Sequence, residues 1–564
     1  MSHLPSVRLR QGFMPTALFL LLAALWPDAG RADASSLDRT GTIWGPHLEW
    51  ALENPSWQGN PYDLVAEATF RHEASGRTHR TQMFHDGGDI WKFRFTGTEQ
   101  GTWRFTTSSD DPELDGKTGT VSIGANPDPA MKGFVAGRPV DAENGSRWIR
   151  TATGEAFVPQ YVMYSLLEDP DELDAHIETF LRGHGFTGFH VPVFCRWFDI
   201  GSASCGGLGD QAHRGVLGRS RQIVAAAYTT VACGWLDGTP LPCPPENPDR
   251  RTFEALETII ARTYEAGGVV HLWMWGDRER NMTPHTLGGL NGEADQRLQR
   301  YIAARLGPLP GWTMGYGFDL DEWTTQEDLE RWRGYMHAHL GWPHMLGARS
   351  AGPNRGVDHA GQHIHDGLDY AGYEHHQPDY EVYVAALRHL PDQPAFSEDR
   401  FRIRQGHGFD GKGYTEDTTR LGMWRSAMAG GVANIWGRIE NDDAVNEARK
   451  ASKPYRNAAQ LLTWSRFFAD RFLPDMVRDN AITDGWALRS GRTRYLFYKE
   501  NAASIRLDLE GMDGAQDAVA VDARSPYREI PIGRLASRGQ LWAAPYRSDW
   551  AIAVGSFAPR SHAR

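Results

Sequence analysis

The stretch AFVPQYVMYSL, residues 156–166, is an apolar run, and PDELDAHIETFLRGHG, residues 170–185, follows it with amphipathic spacing. The first predicts a buried strand. The second begins with Pro-Asp-Glu and ends on glycine, which predicts a helix. The same strand-then-helix pattern recurs along the chain. The other seven predicted strands are FTGFHVPVF (186–194), GVVHLWMW (268–275), WTMGYGFDL (312–320), PHMLGAR (343–349), LDYAGYEH (368–375), PAFSED (394–399) and VANIWG (432–437).

Eight strand–helix units between residues 145 and 472 predict an α/β fold, a (β/α)8 TIM barrel with insertions. The alternative is an open, doubly wound parallel sheet. Nucleotide-binding proteins of that class carry a glycine-rich phosphate loop after the first strand. No such loop follows residues 156–166, so the barrel is favoured.

Short alternating segments flank the barrel on both sides. In WKFRF, residues 91–95, three aromatic residues share one face while Lys92 and Arg94 take the other, which is typical of a half-buried antiparallel strand. Residues 38–142 are therefore predicted to form an N-terminal β-sandwich. The same alternation predicts a small C-terminal β-sandwich over residues 475–558.

Composition narrows the class of partner. The net charge is −12, and no long run of Lys or Arg gives the positive surface that nucleic-acid binding requires. The chain also has 21 Trp, and flat aromatic surfaces stack on sugar rings, although most Trp side chains simply fill cores.

The first 34 residues are predicted to be a signal peptide. Arg8 and Arg10 precede an apolar run from Phe13 to Trp26, and small residues follow it. No later segment reaches the roughly 20 apolar residues of a membrane span. We therefore expect a protein that is exported to the periplasm or secreted from a bacterium.

All four cysteines, Cys195, Cys205, Cys233 and Cys243, lie in one stretch of the chain. In an oxidising compartment, an even number of cysteines in a loop favours disulfides. The local pairs Cys195–Cys205 and Cys233–Cys243 are the favoured ones among three possible connectivities. A zinc site is the alternative, disfavoured by the long spacings.

Two predicted strands end in carboxylates. Strand four is followed by Asp321 and Glu322, and strand seven by Glu398 and Asp399. Active sites of TIM barrels lie at the C-terminal ends of the strands, and strands four and seven face each other. Retaining glycosidases hold two carboxyl groups about 5 Å apart, so the pattern predicts this chemistry. Capping of the following helices is the alternative.

The sequence resembles the large clan of retaining glycoside hydrolases with (β/α)8 barrels, in which an acid/base Glu ends strand four and a nucleophilic Glu ends strand seven. Its layout, with FHDGGDIWKFRFTGTEQGTWRFTTSS (84–109) before the barrel, looks like that of glycosidases related to apiosidases. The segments RYLFYKENAASIRLDLEG (494–511) and SDWAIAVG (548–555) are similar to a domain named for collagen binding in those proteins.

This resemblance implies that Glu322 is the general acid/base and Glu398 the nucleophile. Asp321 stands where the clan usually has Asn, and Asp319 is a less favoured substitute for Glu322. The Asp321 carboxylate accepts but does not donate hydrogen bonds, and its charge would raise the pKa of a neighbouring Glu322, which suits a general acid. No cofactor and no metal are implied.

Other polar and aromatic residues at strand ends are candidates for binding a carbohydrate substrate. Tyr373 is a candidate hydrogen-bond donor to the nucleophile, and Arg196 and Arg349 are candidates for binding hydroxyls or a charged substituent. The remaining candidates are His375, Trp273, Trp275, Asp277 and Trp436.

Two other functions stay open. The segment NRGVDHAGQHIHDGLDYAGYEHHQPDY, residues 354–380, is dense in His and Asp between His359 and His376, which suits a metal-dependent hydrolase. A non-catalytic carbohydrate-binding protein is the other alternative, but the presence of both Glu322 and Glu398 disfavours it.

Overall fold

The computed structural model describes residues 37–166, 170–198, 235–236, 239–240, 247–276, 283–284, 289–318, 320, 323–351, 367–404, 413–440 and 454–557. Several sequence predictions lie outside these residues: the signal peptide (1–34), Asp277, Asp319, Asp321, Glu322, Cys205, Cys233, Cys243 and the histidines before residue 367. For Cys195 only the backbone is described.

The N-terminal part of the chain forms two sheets packed face to face. Its strands are β1 (Arg39–Thr42), β2 (Leu48–Glu53), β3 (Ala66–His72), β4 (Thr78–Gln82), β5 (Phe84–His85), β6 (Ile90–Phe95), β7 (Gly101–Ser109) and β8 (Thr118–Gly124). One sheet has the order β1-β8-β7-β3-β4 and the other β2-β6-β5. The indole of Trp50 stacks on Phe93 with ring centroids 5.1 Å apart and packs on Phe70 and Phe105 of the opposite sheet, so aromatic residues fill this core.

A three-stranded sheet closes the bottom of the barrel. It consists of β9 (Val135–Asp141), β10 (Gly145–Arg150) and β11 (Ala156–Phe157), in the order β11-β10-β9. Trp148 of β10 packs on Tyr370 and Phe396, and its Nε1 donates to the carbonyl of Ala395 at 3.1 Å. Tyr370 and Ala395 begin two barrel strands. Trp148 therefore plugs the amino-terminal end of the barrel.

Eight parallel strands close into a barrel, which confirms the predicted fold class. In chain order the strands are β12 (Gln160–Met163), β13 (Gly188–Pro192), β16 (Val269–Trp273), β17 (Trp312–Gly315), β18 (Leu346–Ala351), β19 (Tyr370–Glu374), β20 (Ala395–Arg404) and β21 (Ala433–Glu440), and a short hairpin of β14 (Trp235–Leu236) and β15 (Thr239–Pro240) lies between β13 and β16. Each of these barrel strands overlaps one of the eight predicted strands.

The described helices surround the barrel. They are α1 (Leu173–His176), α2 (Arg250–Glu265), α3 (Glu293–Leu306), α4 (Gln326–Leu340), α5 (Tyr380–His389), α6 (Glu416–Ala429) and α7 (Ala458–Phe468). Local sequence sets their starts: Thr325 and Asp328 form a reciprocal capping box at α4, and the Asp249 carboxylate accepts the Arg251 N–H at α2. The first predicted helix is instead a 3-10 turn (Pro170–Glu172), then α1, then a π turn (Ile177–Arg182).

A buried ion network joins the N-terminal sheets to the barrel. Arg94 of β6 donates to Glu257 of α2 at 3.0 Å and to the carbonyl of Arg305 of α3 at 2.8 Å. Arg305 in turn lies 2.6 Å from Glu257. Although burial raises the pKa of Glu257, the two guanidinium groups hold it below its usual value.

The C-terminal part is a six-stranded antiparallel sheet. Its strands are β22 (Val477–Arg478), β23 (Trp486–Ser490), β24 (Arg494–Asp508), β25 (Gln516–Asp522), β26 (Ile530–Leu535) and β27 (Gly539–Val554), in the order β22-β23-β24-β27-β25-β26, and a 3-10 turn (Asn480–Ile482) precedes β23. Two arginines of α6 bind this sheet, with Arg420 2.8 Å from Asp549 and Arg425 2.9 Å from Glu500. In the described parts of the chain, every helix is too short or too polar to cross a bilayer.

Candidate active site at the barrel mouth

Glu398 lies inside the barrel on an irregular part of β20. In the pairing of β20 with β21, Ser397 is opposite Asn434 and Arg400 is opposite Ile435, so Glu398 and Asp399 have no opposite residue. Extra residues of this kind change the direction of side chains and are frequent next to active sites. The Glu398 side chain is fully buried.

The two oxygens of the Glu398 carboxylate differ in their hydrogen bonding. The Tyr370 hydroxyl donates to Oε1 at 2.6 Å. His271 Nε2 lies 3.2 Å from the same oxygen, within ion-pair distance but without good hydrogen-bond alignment. In the described part of the chain, Oε2 has no hydrogen-bond partner.

Burial fixes the protonation of the two groups that contact this carboxylate. It raises the pKa of Tyr370 well above its usual value, and the neighbouring Glu398 charge raises it further, so the phenol remains a donor. Burial lowers the pKa of His271, and the raising effect of Glu398 does not cancel this. The hydrogen bond from Tyr370 is therefore the firm anchor of Glu398.

Three glycines make room for the Tyr370–Glu398 pair. A Cβ atom on Gly372 would lie 2.8 Å from Glu398 Oε2, and one on Gly315 would lie 2.9 Å from Oε1. A Cβ atom on Gly347 would lie 2.4 Å from the Tyr370 ring. These residues belong to three adjacent strands, β17, β18 and β19. The space around the carboxylate is thus built by the absence of side chains on its neighbours.

Two arginines lie over an aromatic pair beside Glu398. The rings of Trp273 and Phe318 have centroids 5.2 Å apart, and the Arg400 guanidinium lies 5.2 Å from each. Arg349 lies 5.9 Å from the Trp273 ring and 5.7 Å from the Phe318 ring, and its Nη1 is 3.5 Å from the carbonyl oxygen of Glu398. Cation–π attraction thus holds both guanidinium groups against the two buried rings.

A possible cation-binding group lies at the ends of β19 and β20. One ligand atom from each of Glu374, His376 and Asp399 lies within 4.8 Å of the others. Glu374 also accepts from His376 at 3.0 Å and lies 3.6 Å from Arg349. The carboxylate of Glu374 therefore already has cationic and polar neighbours.

The structure separates the predicted binding residues into two groups. Trp273 and Arg349 lie beside Glu398, as described above. Tyr373, His375, Trp275 and Trp436 are buried on the outer side of the barrel. The Tyr373 hydroxyl is 2.9 Å from His389 at the end of α5, and Trp436 donates to Gln160 at 2.7 Å.

Strand alternation explains why Tyr370, and not Tyr373, contacts Glu398. Residues 370, 372 and 374 of β19 share one face and residues 371 and 373 the other. Because Tyr370 and Gly372 face Glu398, Tyr373 must face the helices. The role of hydrogen-bond donor to Glu398 that the sequence suggested for Tyr373 is therefore filled by Tyr370.

Sequence reasoning missed Tyr370, His271 and Arg400. Tyr370 and His271 lie within the apolar runs of their predicted strands, where a tyrosine or histidine ordinarily indicates a core residue. The available signal was the glycine at position 372, a gap in an otherwise bulky strand that indicates close approach of another group. Arg400 follows Glu398 by two residues, but the register of β20 shifts between Ser397 and Arg400, so alternation alone does not place it.

The comparisons with known proteins address the fold. A family model described as a domain of unknown function, DUF5060, matches residues 42–110. No curated protein matches the chain. A crystal structure of a "putative glycoside hydrolase" from Bacteroides vulgatus ATCC 8482 matches with a TM-score of 0.67 at 16% identity, covering 92% of this chain and 99% of that one.

A glycoside hydrolase family 5 protein from the same strain matches with a TM-score of 0.52 at 14% identity, covering 76% of this chain and 94% of that one. Another structure described as a glycoside hydrolase also has a TM-score of 0.52, at 13% identity, and covers 76% and 98% of the two chains. At these identities the similarity shows a shared fold, a closed parallel barrel with additional sheets.

Proposed function

We propose that this protein is a retaining glycoside hydrolase that cleaves O-glycosidic bonds of a poly- or oligosaccharide. The observation that carries the proposal is the state of Glu398. Its carboxylate is fully buried within the barrel, Oε1 is anchored by Tyr370, and Oε2 has no hydrogen-bond partner in the described structure. A carboxylate nucleophile would be held by the first oxygen and would attack with the second, which has no hydrogen bond to give up.

In the proposed mechanism, Glu398 attacks the anomeric carbon while Glu322 protonates the departing oxygen. A covalent glycosyl-enzyme forms, and the leaving group departs. Glu322 then removes a proton from water, which attacks the same carbon and releases Glu398. Two inversions at this carbon give overall retention, with no cofactor. The role of Glu322 rests on the sequence resemblance, and that of Glu398 rests on both the resemblance and the geometry.

The burial of Glu398 argues against a purely structural role. Removing a carboxylate from water costs several kcal/mol even after the protein relaxes. A hydrogen bond to a charged group returns about 1.5–3 kcal/mol. The Tyr370 hydrogen bond therefore offsets only part of the cost, even with His271 Nε2 3.2 Å from the same oxygen. Function accounts for a carboxylate here.

The test is a hydrolysis screen of the mature protein against plant, algal and bacterial polysaccharides and aryl glycosides, with Glu398→Gln and Glu322→Gln variants. We expect each variant to lose at least 10²-fold in kcat, since acid/base catalysis alone contributes about 10²–10⁴. Glu327→Gln is the matched control, because Glu327 is 82% exposed on α4. A 2-deoxy-2-fluoroglycoside of the identified substrate should label Glu398 covalently, as shown by peptide mass spectrometry.

Activity of both variants within about tenfold of wild type would contradict the assignment. If NMR spectra of the first-formed product showed an inverted anomeric carbon, this result would contradict the retaining mechanism. If no substrate of the panel were hydrolysed but a glycan bound measurably, the protein would instead be a non-catalytic carbohydrate-binding protein.

A metal-dependent hydrolase is the second candidate, favoured by the convergence of Glu374, His376 and Asp399. Histidine and carboxylate groups are common ligands of catalytic divalent cations. Hydrolysis that is lost in EDTA, is restored by a divalent cation and is abolished by His376→Ala would support it. Hydrolysis that survives EDTA and requires Glu398 would exclude it in favour of the two-carboxylate mechanism.

We also propose that residues 1–34 direct export to the periplasm or beyond, and that Cys195–Cys205 and Cys233–Cys243 form disulfides there. The support is the Arg8–Trp26 pattern and the even cysteine count. N-terminal sequencing of the exported protein and peptide mapping under non-reducing conditions test the two points separately.

A further inference from the structure

Arg196 is a buried cation at the barrel mouth. It lies on the 3-10 turn Phe194–Trp197, which follows β13 directly and so stands at the carboxyl end of the barrel. The residue is only 3% exposed. Its Nε and Nη2 have no hydrogen-bond partner in the described structure.

Burial without a partner is unusual for arginine. An ionised group removed from water is normally paired, because an isolated buried charge is strongly destabilising. Burial lowers the pKa of Arg196 to about 10, so the guanidinium still carries its charge at neutral pH. Arg94 and Arg305 show the ordinary arrangement, since both are equally buried and share Glu257. Arg196 lacks such a carboxylate among the described residues.

The turn that carries Arg196 is close to the candidate active site. Phe194, two residues earlier, packs edge-on against Phe318 with ring centroids 5.6 Å apart. Phe318 is the ring over which Arg349 and Arg400 lie. On the other side of the turn, Trp197 donates to the carbonyl of Met274 at 2.8 Å. The Arg196 carbonyl accepts from the Thr252 hydroxyl at the start of α2, so the backbone of Arg196 lies between Phe194, which contacts the site, and the helix layer outside the barrel.

We propose that Arg196 binds an anionic group of the substrate, so that the natural glycan carries a carboxylate or a sulfate ester on the sugar bound at the barrel mouth. A planar guanidinium matches both groups with paired N–H donors. An acidic ligand group would also supply the partner that the described part of the protein lacks. This inference rests on the proposed glycosidase function and deepens it, because it names the substrate class.

The first test needs no activity. We expect Arg196→Met to melt at the same temperature as wild type or higher, because the change removes an unpaired buried charge and keeps an unbranched side chain out to about the position of Nε. Arg182→Met, at an arginine that is 62% exposed, is the matched control. A melting temperature several degrees lower in Arg196→Met than in the control would mean that a carboxylate of the chain pairs with Arg196, and would overturn the proposal.

The second test is ligand binding. Methyl glucuronide, methyl galacturonide, a sulfated monosaccharide and uncharged methyl glucoside are titrated into Glu398→Gln protein, and thermal shift is recorded. We expect a shift with at least one anionic sugar, none with the glucoside, and loss of the shift when Arg196→Met is added. The sugar that binds identifies carboxylate or sulfate as the group. Equal shifts with anionic and uncharged sugars would overturn the proposal.

The third test uses an acidic glycan that the protein hydrolyses, and the same glycan after its carboxyl groups are reduced or its sulfate groups removed. Arg196→Met should raise KM at least tenfold on the acidic form and less than twofold on the neutral form, and Arg196→Lys should recover part of the difference. Glu398-dependent hydrolysis confined to neutral glycans, unaffected by Arg196→Met, would leave the proposed function standing and refute this inference. Loss of all Glu398 dependence would instead refute the function, while the binding result would still decide the role of Arg196.

Discussion

At the scale of single residues, the central contact of the site is the hydrogen bond from Tyr370 to Glu398. The sequence predicts Glu398 because a carboxylate follows a buried strand at the end where barrel sites lie. It does not predict Tyr370, because the segment LDYAGYEH contains two tyrosines on opposite faces and alternation alone does not say which face is inside. Only the closure of the barrel assigns Tyr370 to the interior and Tyr373 to the helices.

Tyr370→Phe tests this assignment. The change removes the hydrogen bond to Glu398 Oε1, and hydrogen bonds to charged groups are worth about 1.5–3 kcal/mol. In the proposed mechanism this bond strengthens as Glu398 leaves the anomeric carbon, so we expect kcat to fall by roughly 10- to 100-fold, since 1.36 kcal/mol corresponds to a factor of ten. KM should change little.

Tyr373→Phe is the matched control, because its hydroxyl contacts His389 rather than Glu398. Its kcat should stay within about twofold of wild type. Equal losses of kcat in the two variants would contradict the different positions of the two hydroxyls, and circular dichroism spectra would separate this result from misfolding.

At the scale of elements, the eight strands were predictable and the space between them was not. Apolar runs such as GVVHLWMW and WTMGYGFDL indicate buried strands whatever they pack against. The role of Gly315, Gly347 and Gly372 depends on which side chain the next strand turns inward. The register shift of β20 at Glu398 and Asp399 is likewise set by the fit between strands, which no periodicity encodes.

Gly372→Ala tests the space made by the strands. The new Cβ would lie 2.5 Å from the carbonyl oxygen of Ala348 and 2.8 Å from Glu398 Oε2, so the backbone or the carboxylate must move. We expect a loss of about 1–3 kcal/mol in the free energy of unfolding and a fall in kcat. Chemical denaturation and steady-state kinetics measure the two effects.

The control is Gly334→Ala, the same substitution on the exposed face of α4, where a Cβ meets nothing within 4 Å. It should stabilise the protein by up to about 1 kcal/mol, because alanine favours helix. If Gly372→Ala were as stable and as active as wild type, the packing of Glu398 against β19 would be wrong.

At the scale of the whole molecule, a charged network joins parts of the chain that the sequence predicts separately. The flanking sheets and the barrel follow from different periodicities, but nothing in either pattern indicates that Arg94 of β6 reaches Glu257 of α2. Long-range pairs of this kind depend on how complete elements dock. The N-terminal sheets are thus held to the barrel by groups that are hidden from water.

Glu257→Gln should weaken this junction. It leaves the guanidinium groups of Arg94 and Arg305 buried without their shared carboxylate, and loss of one partner of a buried ion pair costs about 3–5 kcal/mol. Glu49 and Asp86 still lie beside the two arginines, so we expect a value of about 3 kcal/mol, at the lower end of that range. Urea denaturation at neutral pH measures it.

Glu327→Gln removes an exposed helix-surface charge whose arginine partner is 3.5 Å away. It should change the free energy of unfolding by less than about 0.5 kcal/mol. Similar values for the two variants would show that the buried network adds nothing to stability beyond a surface pair.

The plug formed by Trp148 bears on the order in which the leaving group departs and water enters. Because Trp148, Tyr370 and Phe396 fill the amino-terminal end of the barrel, a ligand of Glu398 would have to approach from the carboxyl end. In the proposed glycosidase reaction, the departing half of the glycan would then leave from the carboxyl end before water entered there. A large leaving group that dissociated slowly would keep water out and would accept the sugar back from the enzyme. The ratio of hydrolysis to this reverse reaction would then depend on the size of the leaving group.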